Sequence, residues 1–329
     1  MKLPRRKFLY LAASAVALPA ISRTAVAQNY PTRPIRLVVP LPPGGGFDAL
    51  GRLWAEKMKP LLGTVVVENI GGGGGSLGAA AVARARPDGY TILLGGTLPH
   101  VHEALLKNRP LYDPVKDLDP IIAVAANCFS IVVNPSVPVQ TLGELVTYAK
   151  ANPGKLSYAH AGVGSTNHLT GELFKLLAGT PEIEQIPYRG MGPALSDIIG
   201  GQVPMAVAAA TTQVLEFHRE GKIRVLAVTS PKRLANAPEL PTVTEAGFPG
   251  LTLSASLGLL APAGTPTPII EQVAQATRTA LAEPAYQQRL LAGSFEPILD
   301  SSPEKFRQSL AADIAFWAPL IKSLGLKLD

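Results

Sequence analysis

Hydrophobic and polar positions along the chain follow a repeating order of apolar run, glycine-rich turn and helical spacing. The first apolar run covers residues 35–39 and leads into a turn at residues 40–46 that carries Gly44, Gly45 and Gly46. Apolar side chains then recur every three or four residues, at Leu50, Leu53, Trp54 and Met58. This order predicts a strand, a glycine loop and a helix.

The same order continues beyond the first helix. Residues 65–67 and 90–94 are predicted strands, and residues 77–85 between them have helical spacing. Strands that alternate with helices predict an α/β fold with parallel strands covered on both faces. In such sheets, ligands bind beyond the carboxyl ends of the strands.

A second unit repeats this plan about 120 residues later along the chain. Residues 155–160 predict a strand, residues 161–166 form another glycine turn, and helical spacing begins at Asn167. We expect Ser165, Thr166 or Asn167 to cap that helix. The N–H groups of a glycine turn and the positive end of a helix both favour negative charge, so each unit predicts a site for a small anion.

The connections predict two strands that cross between the halves of the molecule. One is the apolar run 131–135, which leads to a capping box at Thr141 and Glu144 and a helix that ends near Asn152. The other is the run 257–262, which leads to a helix with Pro268 in its first turn.

The last helix is predicted from a capping sequence and a spaced apolar face. It is expected to begin at residues 302–304, and Pro319 is expected to kink or loosen its end. Its predicted buried residues are Phe306, Leu310, Trp317 and Leu320.

The first 27 residues have the features of a targeting segment. A twin-arginine start at Arg5 and Arg6 precedes the apolar run 8–20, and residues 25–27 fit an A-x-A cleavage site. The apolar run has 13 residues, whereas a membrane-spanning helix needs about 20. We therefore predict a twin-arginine-type signal peptide over residues 1–27 and an exported chain without stable membrane insertion.

Removal of this segment changes the interpretation of the charge and size. The full chain has 30 basic and 24 acidic residues, but five of the basic residues and none of the acidic ones lie before residue 28, which leaves a net charge of +1. With 6% aromatic residues and no basic run, nucleic acid is not an expected partner. The remaining 302 residues suit two lobes. Cys128 is the only cysteine, so no internal disulfide forms, and we expect it in a buried structural position.

Three polar side chains near the glycine turns are open to more than one interpretation. Asp48 is either a helix cap or a ligand contact through water, an ammonium group or a hydroxyl group. Arg189 is either a bidentate carboxylate clamp or a solvated side chain. Ser165 is interpreted as a hydroxyl donor or cap, and a periplasmic hydrolase or transferase using Ser165 and His168 is the alternative.

The residues predict neither a metal site nor a cofactor. His100 and His102 are two residues apart, but a zinc site needs at least three protein ligands. The glycine run 71–75 lacks the lysine of a phosphate-binding loop, so we interpret it as a flexible loop or the rim of a cleft.

Short motifs that point to a family are distributed over nearly the whole chain after residue 27. They are YPTRPIRLVVP at 30–40, PGGGFD at 43–48, VVEN at 66–69, PDGY at 87–90, YDPVKDL at 112–118, PGKLSY at 153–158, PYRG at 187–190, LAVTS at 226–230 and APAGTP at 261–266. In these motifs the chain resembles the Bug, or TctC-like, solute receptors of tripartite tricarboxylate transporters.

The resemblance implies a two-lobed, type II periplasmic-binding-protein (Venus-flytrap) fold of the α/β class, with mixed, mostly parallel sheets and two crossing strands. The expected division places residues 28–128 and 229–329 in lobe 1 and residues 129–228 in lobe 2. The implied function is the capture of a small carboxylate in the cleft by a periplasmic monomer, without catalysis. The ligand would then pass to the membrane components of a tripartite transporter, and a ligand-presenting signalling receptor is the alternative.

Ligand-binding residues are carried over from the family by position. The residues implied for lobe 1 are Gly44, Gly45, Gly46, Phe47, Asp48, Gly96 and Thr97. The residues implied for lobe 2 are Gly164, Ser165, Thr166, Asn167, His168, Tyr188 and Arg189.

Two departures from the family pattern affect the expected ligand. Family members often carry threonine where this chain has Phe47, and an Asp-Asn pair where it has the sequence VAAAT at residues 207–211. Both departures remove polar groups from the cleft. We therefore expect a ligand with more hydrocarbon or aromatic character than a short hydroxy-diacid.

Overall fold

The computed structural model describes residues 30–97 and 102–327. The signal peptide predicted for residues 1–27 lies outside the described residues, and so does His100. Within the described ranges, no helix is both long enough and apolar enough to cross a bilayer.

The first sheet is mixed and contains six strands. They are β1 (Ile35–Val39), β2 (Val65–Asn69), β3 (Thr91–Gly96), β4 (Leu118–Asn127), β10 (Ala255–Pro262) and β11 (Glu296–Pro297). Their spatial order is β11-β4-β10-β3-β1-β2. Strand β1 pairs in parallel with β2 and β3, whereas β10 runs antiparallel to both β3 and β4.

The second sheet contains five strands and is also mixed. They are β5 (Phe129–Val133), β6 (Ser157–His160), β7 (Glu184–Pro187), β8 (Met205–Ala209) and β9 (Arg224–Val228). Their spatial order is β7-β6-β8-β5-β9. Strand β6 is parallel to β7 and β8, and β5 is antiparallel to β8 and β9.

Helices cover both sheets. The α-helices in the described chain are α1 (Gly46–Leu62), α2 (Ser76–Ala83), α3 (Leu142–Ala151), α4 (Thr166–Ala178), α5 (Met191–Ile199), α6 (Thr212–Arg219), α7 (Thr267–Leu281), α8 (Pro284–Ala292) and α9 (Pro303–Ser323). The predicted strand, loop and helix units at the start of the chain and after residue 155 are thus confirmed.

The inner strands β1, β3 and β10 of the first sheet are buried on both faces, which explains why they are nearly continuous apolar runs. Side chains alternate between the two faces of a strand. Leu37 and Val39 of β1 therefore pack into the core that contains Trp54, whereas Val38 packs into the core on the opposite face. The indole N–H of Trp54 donates to the hydroxyl of Thr277 in α7 (3.1 Å), so this large buried ring has its polar atom satisfied.

The chain passes between the two sheets at two neighbouring points, Cys128 and Ser254. The hydroxyl of Thr229 joins these points, because it accepts the N–H of Phe129 (2.9 Å) and donates to the carbonyl oxygen of Leu253 (2.8 Å). Both apolar runs predicted to cross lie directly after these points, since β5 and β10 each begin one residue later.

The segment between β9 and β10 packs with the second sheet. Leu234 belongs to one of its buried clusters, and Val243 and Leu251 belong to another. The sequence-based boundary assigned this segment to lobe 1. We propose instead that lobe 2 extends to about Leu253.

The last helix, α9, begins in contact with the first sheet and ends against the second lobe. The hydroxyl of Ser302 caps it by accepting the N–H of Lys305 (3.1 Å), as the sequence predicts. Phe306 packs near the first sheet, and Trp317 packs on Leu169 of α4. The helix continues through Pro319 to Ser323, and the kink or loosening expected at this proline stays a prediction.

Candidate functional site

The candidate site is formed by loops at the carboxyl ends of parallel strands in the two sheets. The first loop, residues 40–45, joins β1 to α1. The second loop, residues 161–165, joins β6 to α4. Each loop therefore ends at the start of a helix, where backbone N–H groups lack intrahelical acceptors.

The start of α1 carries no side-chain cap. Its N-cap is Gly45, so no side chain from that position bonds the N–H groups of Gly46 and Phe47. The cap interpretation of Asp48 needs correction, because Asp48 lies in the first turn rather than at the N-cap. From there its carboxylate reaches back and accepts the N–H of Gly44 (3.0 Å), which fixes the shape of the loop.

The charge of Asp48 is compensated within the same helix. The guanidinium of Arg52, one turn later, donates to carboxylate oxygen Oδ2 (3.0 Å). This hydrogen bond, helped by that of Gly44, holds the pKa of Asp48 below its usual value despite the burial of the side chain. The other oxygen, Oδ1, is buried and has no hydrogen-bond partner in residues 30–97 and 102–327.

Aromatic rings lie beside the first loop. Phe47 is half-buried and packs against the core of the first sheet. The ring of Phe295 lies so near Gly46 that a Cβ added to this glycine would be 3.7 Å from it. Phe295 was not predicted, because no local pattern relates it to a loop so distant in sequence.

The end of β3 is held internally. A Cβ added to Gly96 would lie 1.9 Å from the carbonyl oxygen of Ser256, so only glycine fits there. The hydroxyl of Thr97, which is 2% exposed, donates to the carboxylate of Asp313 (2.5 Å) and accepts the N–H of Ser256 (2.9 Å). Burial raises the pKa of Asp313 to about 6. Thr97 thus connects β3 to α9, and its hydroxyl is engaged in these bonds.

The start of α4 has a side-chain cap. The Oγ of Ser165 accepts the N–H of His168 (3.2 Å), so of the three cap candidates the structure selects Ser165. The N–H groups of Thr166 and Asn167 have no intrahelical acceptor. The side-chain amide of Asn167 donates to the carbonyl oxygen of Val207 (3.0 Å), which joins α4 to the middle of β8.

Two histidines lie behind the second loop. His168 is 3% exposed, and its Nδ1 accepts the N–H of Gly164 (3.2 Å). His160 is fully buried, and its Nδ1 accepts the N–H of Gly162 (3.2 Å). Burial, with the neighbouring His160, lowers the pKa of His168 to about 4. Burial also lowers the pKa of His160, so both rings are neutral at pH 7, and each contacts the loop.

The Tyr188 turn lies next to the second loop. The N–H of Tyr188 donates to the carbonyl oxygen of His160 (2.9 Å), and its hydroxyl donates to Asp197 (2.7 Å). This bond to Asp197 raises the pKa of Tyr188 to about 12. The side chain of Arg189 is exposed. The structure thus places the turn and the second loop side by side.

Hydrogen bonds also link the lobes at a place that the sequence did not indicate. The hydroxyl of Thr212, at the start of α6, donates to the carbonyl oxygen of Ala292 (2.6 Å). The amide of Asn236 donates to the carbonyl oxygen of Leu291 (3.2 Å) and to the hydroxyl of Ser294 (3.0 Å). Residues from the second-sheet side therefore bond to the end of α8.

The chemistry available at these loops is hydrogen-bond donation to an anion. Ser165 accepts a backbone N–H, and the Nδ1 of His168 is engaged with Gly164, so these atoms are not arranged as a nucleophile and its base. In the described residues, no group of three or more His, Cys, Asp or Glu side chains is positioned to hold a metal ion.

Comparison with known proteins identifies the family. The family described as "Tripartite tricarboxylate transporter family receptor" matches residues 50–326. The periplasmic binding protein BugD is 36% identical to this chain, with a TM-score of 0.80 over 91% of this chain and 99% of BugD.

Two further similar structures contain carboxylates. R. palustris Rpa4515, solved with adipate, is 34% identical with a TM-score of 0.82, over 91% of this chain and 99% of Rpa4515. MatC from Rhodopseudomonas palustris, solved with malate, is 30% identical with a TM-score of 0.78, over 89% of this chain and 100% of MatC. These neighbours share the α/β, two-lobed fold of periplasmic binding proteins, which confirms the predicted fold class. The chain belongs to the Bug, or TctC-like, receptor family of tripartite tricarboxylate transporters.

Proposed function

We propose that this protein is a periplasmic solute-binding protein that captures a small carboxylate between its lobes and delivers it to a membrane transporter. One observation carries the proposal: each lobe contributes a glycine-containing loop that ends at a helix start, α1 in one lobe and α4 in the other. The proposed ligand contacts are the loop and helix-start N–H groups, together with the side chains that line them.

The physical argument concerns the cost of removing a carboxylate from water. Burying a charge is costly unless hydrogen bonds and compensating charge replace the lost hydration. A helix start supplies both, because its free N–H groups lie at the positive end of the helix dipole. A ligand bonded to both loops favours the closed arrangement of the lobes by its differential affinity for the two states. This step needs no covalent chemistry.

The ligand that this cleft would favour is a dicarboxylate with a hydrocarbon middle. Phe47 lies where family members often carry a hydroxyl-bearing residue, and residues 207–210, where they often carry an Asp-Asn pair, are apolar. Among the similar structures, one binds adipate and another binds malate. Since adipate has four methylene groups and malate carries a hydroxyl group, the apolar residues of this chain favour the adipate-like choice.

A thermal-shift screen of residues 28–329 tests both the function and the ligand class. Binding to the folded state alone raises stability by RT ln(1 + [L]/Kd). We expect adipate and longer or aromatic acids to raise the Tm more than malate or citrate at equal concentration. A clear preference for malate or citrate would contradict the ligand class, and no response to any carboxylate would contradict the function.

Delivery to a transporter requires a test in cells. We expect a strain that lacks this gene to lose uptake of the labelled ligand found in the screen, and the wild-type gene to restore it. Normal uptake with lost gene induction would instead favour a signalling receptor. Size-exclusion chromatography with light scattering tests the expectation that the protein is a monomer.

A further inference from the structure

Two neutral imidazoles support the second loop from inside lobe 2. The Nδ1 atoms of His160 and His168 accept the N–H groups of Gly162 and Gly164, each at 3.2 Å. The two ring centroids are 4.5 Å apart and the ring planes are tilted by 33°, so the histidines form a contacting pair behind the loop. Both side chains are nearly or fully buried.

These bonds determine which N–H groups of the loop remain available. Gly162 (φ +120°) and Gly164 (φ +81°) have backbone angles that other residues rarely adopt. In this conformation their N–H groups turn inward to the imidazoles. The N–H groups of Thr166 and Asn167, at the start of α4, are then left for a ligand.

The geometry also fixes the protonation state of the pair. A backbone N–H only donates, so the Nδ1 of each histidine must lack a proton. The Nε2 of His160 lies within hydrogen-bond distance of the side-chain amide oxygen (Oε1) of Gln185 and therefore carries the proton. A proton on either Nδ1 would face an N–H group and break the bond to the loop.

The groups around the pair do not favour a charged imidazole. Glu172 on α4 is the nearby carboxylate, but it already accepts bonds from the hydroxyl of Tyr158 (2.8 Å) and the ammonium of Lys175 (3.0 Å). Tyr158 and Gln185 from the strands add no negative charge at pH 7. Burial, with Lys175 and the partner imidazole opposing charge on His168, lowers the pKa of both histidines.

We propose that His160 and His168 are positioning residues that, as neutral acceptors, hold the second loop in its ligand-binding shape without contacting the ligand. This inference rests on the proposed function, and it changes the role expected for His168 from a ligand contact to a support of the loop. Affinity for the carboxylate then depends on the hydrogen bonds that Gly162 and Gly164 donate to these two histidines.

Two substitutions of His168 distinguish a requirement for its hydrogen-bond acceptor from a requirement for the volume of its side chain. The side-chain oxygen of asparagine occupies nearly the position of Nδ1, so His168→Asn keeps the acceptor for Gly164 and removes the titration. His168→Leu removes the acceptor. By isothermal calorimetry at pH 7.5, with adipate or the acid that gives the largest thermal shift, we expect His168→Leu to weaken binding at least about tenfold and His168→Asn less than about threefold.

His218 offers a matched control on α6, outside the second loop. Its Nδ1 also accepts a backbone N–H, that of Val225 (3.4 Å). His218→Leu therefore removes the same kind of bond elsewhere in lobe 2, and we expect unchanged affinity. Equal affinity of His168→Leu and His168→Asn would overturn the proposal, and so would an equal loss in His218→Leu.

Nuclear magnetic resonance of the ligand-free wild type gives a test that does not require a known ligand. It also does not depend on whether the substituted proteins fold. We expect ¹⁵N shifts of unprotonated Nδ1 atoms for both histidines at pH 7. We also expect the Gly162 and Gly164 amide signals to move on acidification together with those rings. A protonated Nδ1 at pH 7 would contradict the inference even if a carboxylate binds. Failure of all carboxylates to bind, with the expected shifts, would contradict only the proposed function.

Discussion

The first and second loops present the same kind of helix start but are held by opposite kinds of side chain. The first loop is largely exposed, has a glycine N-cap and is anchored by the charged carboxylate of Asp48. The second loop is more buried, has Ser165 as its N-cap and is anchored by His160 and His168, both neutral.

This difference shows how an anion site can tolerate an acidic anchor. The charge of Asp48 would repel a carboxylate, but Arg52 bonds the same carboxylate oxygen, and its side chain reaches solvent. Inside lobe 2 such an ion pair would have to be desolvated, which is costly. Neutral imidazoles supply acceptors there without that cost. The exposed loop therefore has a charged anchor and the buried loop an uncharged one.

The largest effect expected from this comparison is a loss of folding stability at acid pH, caused by the histidines behind the second loop. The pKa of His168 is about 4 in the folded protein and about 6.5 when unfolded. The unfolded state thus binds more protons between these values, and stability is complete above pH 6.5 and falls as the pH drops towards 4. Linkage gives a loss of about 2–3 kcal/mol from this residue between pH 7.5 and 4.5.

The measurement is urea unfolding at several pH values for the wild type and His168→Asn. Protonation of Asp313, whose pKa is raised to about 6, opposes the loss over part of the same range, so the difference between the two proteins is the informative quantity. We expect the variant to lose less stability than the wild type on acidification. Parallel curves would show that His168 does not titrate as this structure requires.

The second-largest expected effect comes from removing Asp48, the charged anchor of the first loop. Asp48→Ala removes the acceptor for Gly44 and the partner of Arg52, and we expect the free energy of unfolding to fall by about 1–2 kcal/mol. Because Arg52 is well exposed, most of this loss comes from the bond to Gly44. We also expect affinity for the carboxylate to fall several-fold, because the loop loses its shape.

Asp48→Asn is the control for charge. It keeps an acceptor for Gly44, so we expect a smaller loss of stability and carboxylate affinity equal to or above that of the wild type, since a negative charge is removed. Denaturant titration and calorimetry at pH 7.5 measure the two quantities. Affinity lost equally in both variants would indicate that the charge itself, and not the shape of the loop, is required.

The sequence predicted the parts of this fold that depend on local pattern. The unit from β1 through α1 follows from an apolar run and helical spacing, and the Ser165 and Thr141 caps follow from side chains next to a helix start. Helix α8 was not predicted, because only Tyr286 and Leu290 are buried in it. The two-residue strand β11 depends on pairing with the distant β4, which no local pattern records.

The site was less predictable for the same reason. Sequence position and family resemblance led to the loops, but they could not show that His168 turns inward or that Thr97 bonds Asp313. Those contacts depend on ring orientation and on elements far apart in the chain. The pairing of His160 with the loop had only one local signal, a histidine two residues before Gly162.

The smallest effect comes from exchanging the caps of the two loops. Gly45 has extended backbone angles, and a Cβ there would meet only the carbonyl oxygen of Pro42 at 3.9 Å, so Gly45→Ser fits without strain. A serine N-cap is more favourable than glycine by a few tenths of a kcal/mol. Its hydroxyl would bond the N–H of Phe47 or Asp48, and a bond to Phe47 would occupy a donor that the proposed ligand needs. We therefore expect Gly45→Ser to raise the Tm slightly while weakening carboxylate binding.

Ser165→Gly is the reciprocal variant. It removes the cap from His168, and we expect it to lower stability by a few tenths of a kcal/mol. Affinity should change little, because the freed N–H belongs to His168, whereas the proposed ligand uses the N–H groups of Thr166 and Asn167. Differential scanning fluorimetry and calorimetry on both variants give the comparison. If Gly45→Ser binds the carboxylate as tightly as the wild type, the N–H groups at the start of α1 are not used by the ligand, and the two loops do not share one role.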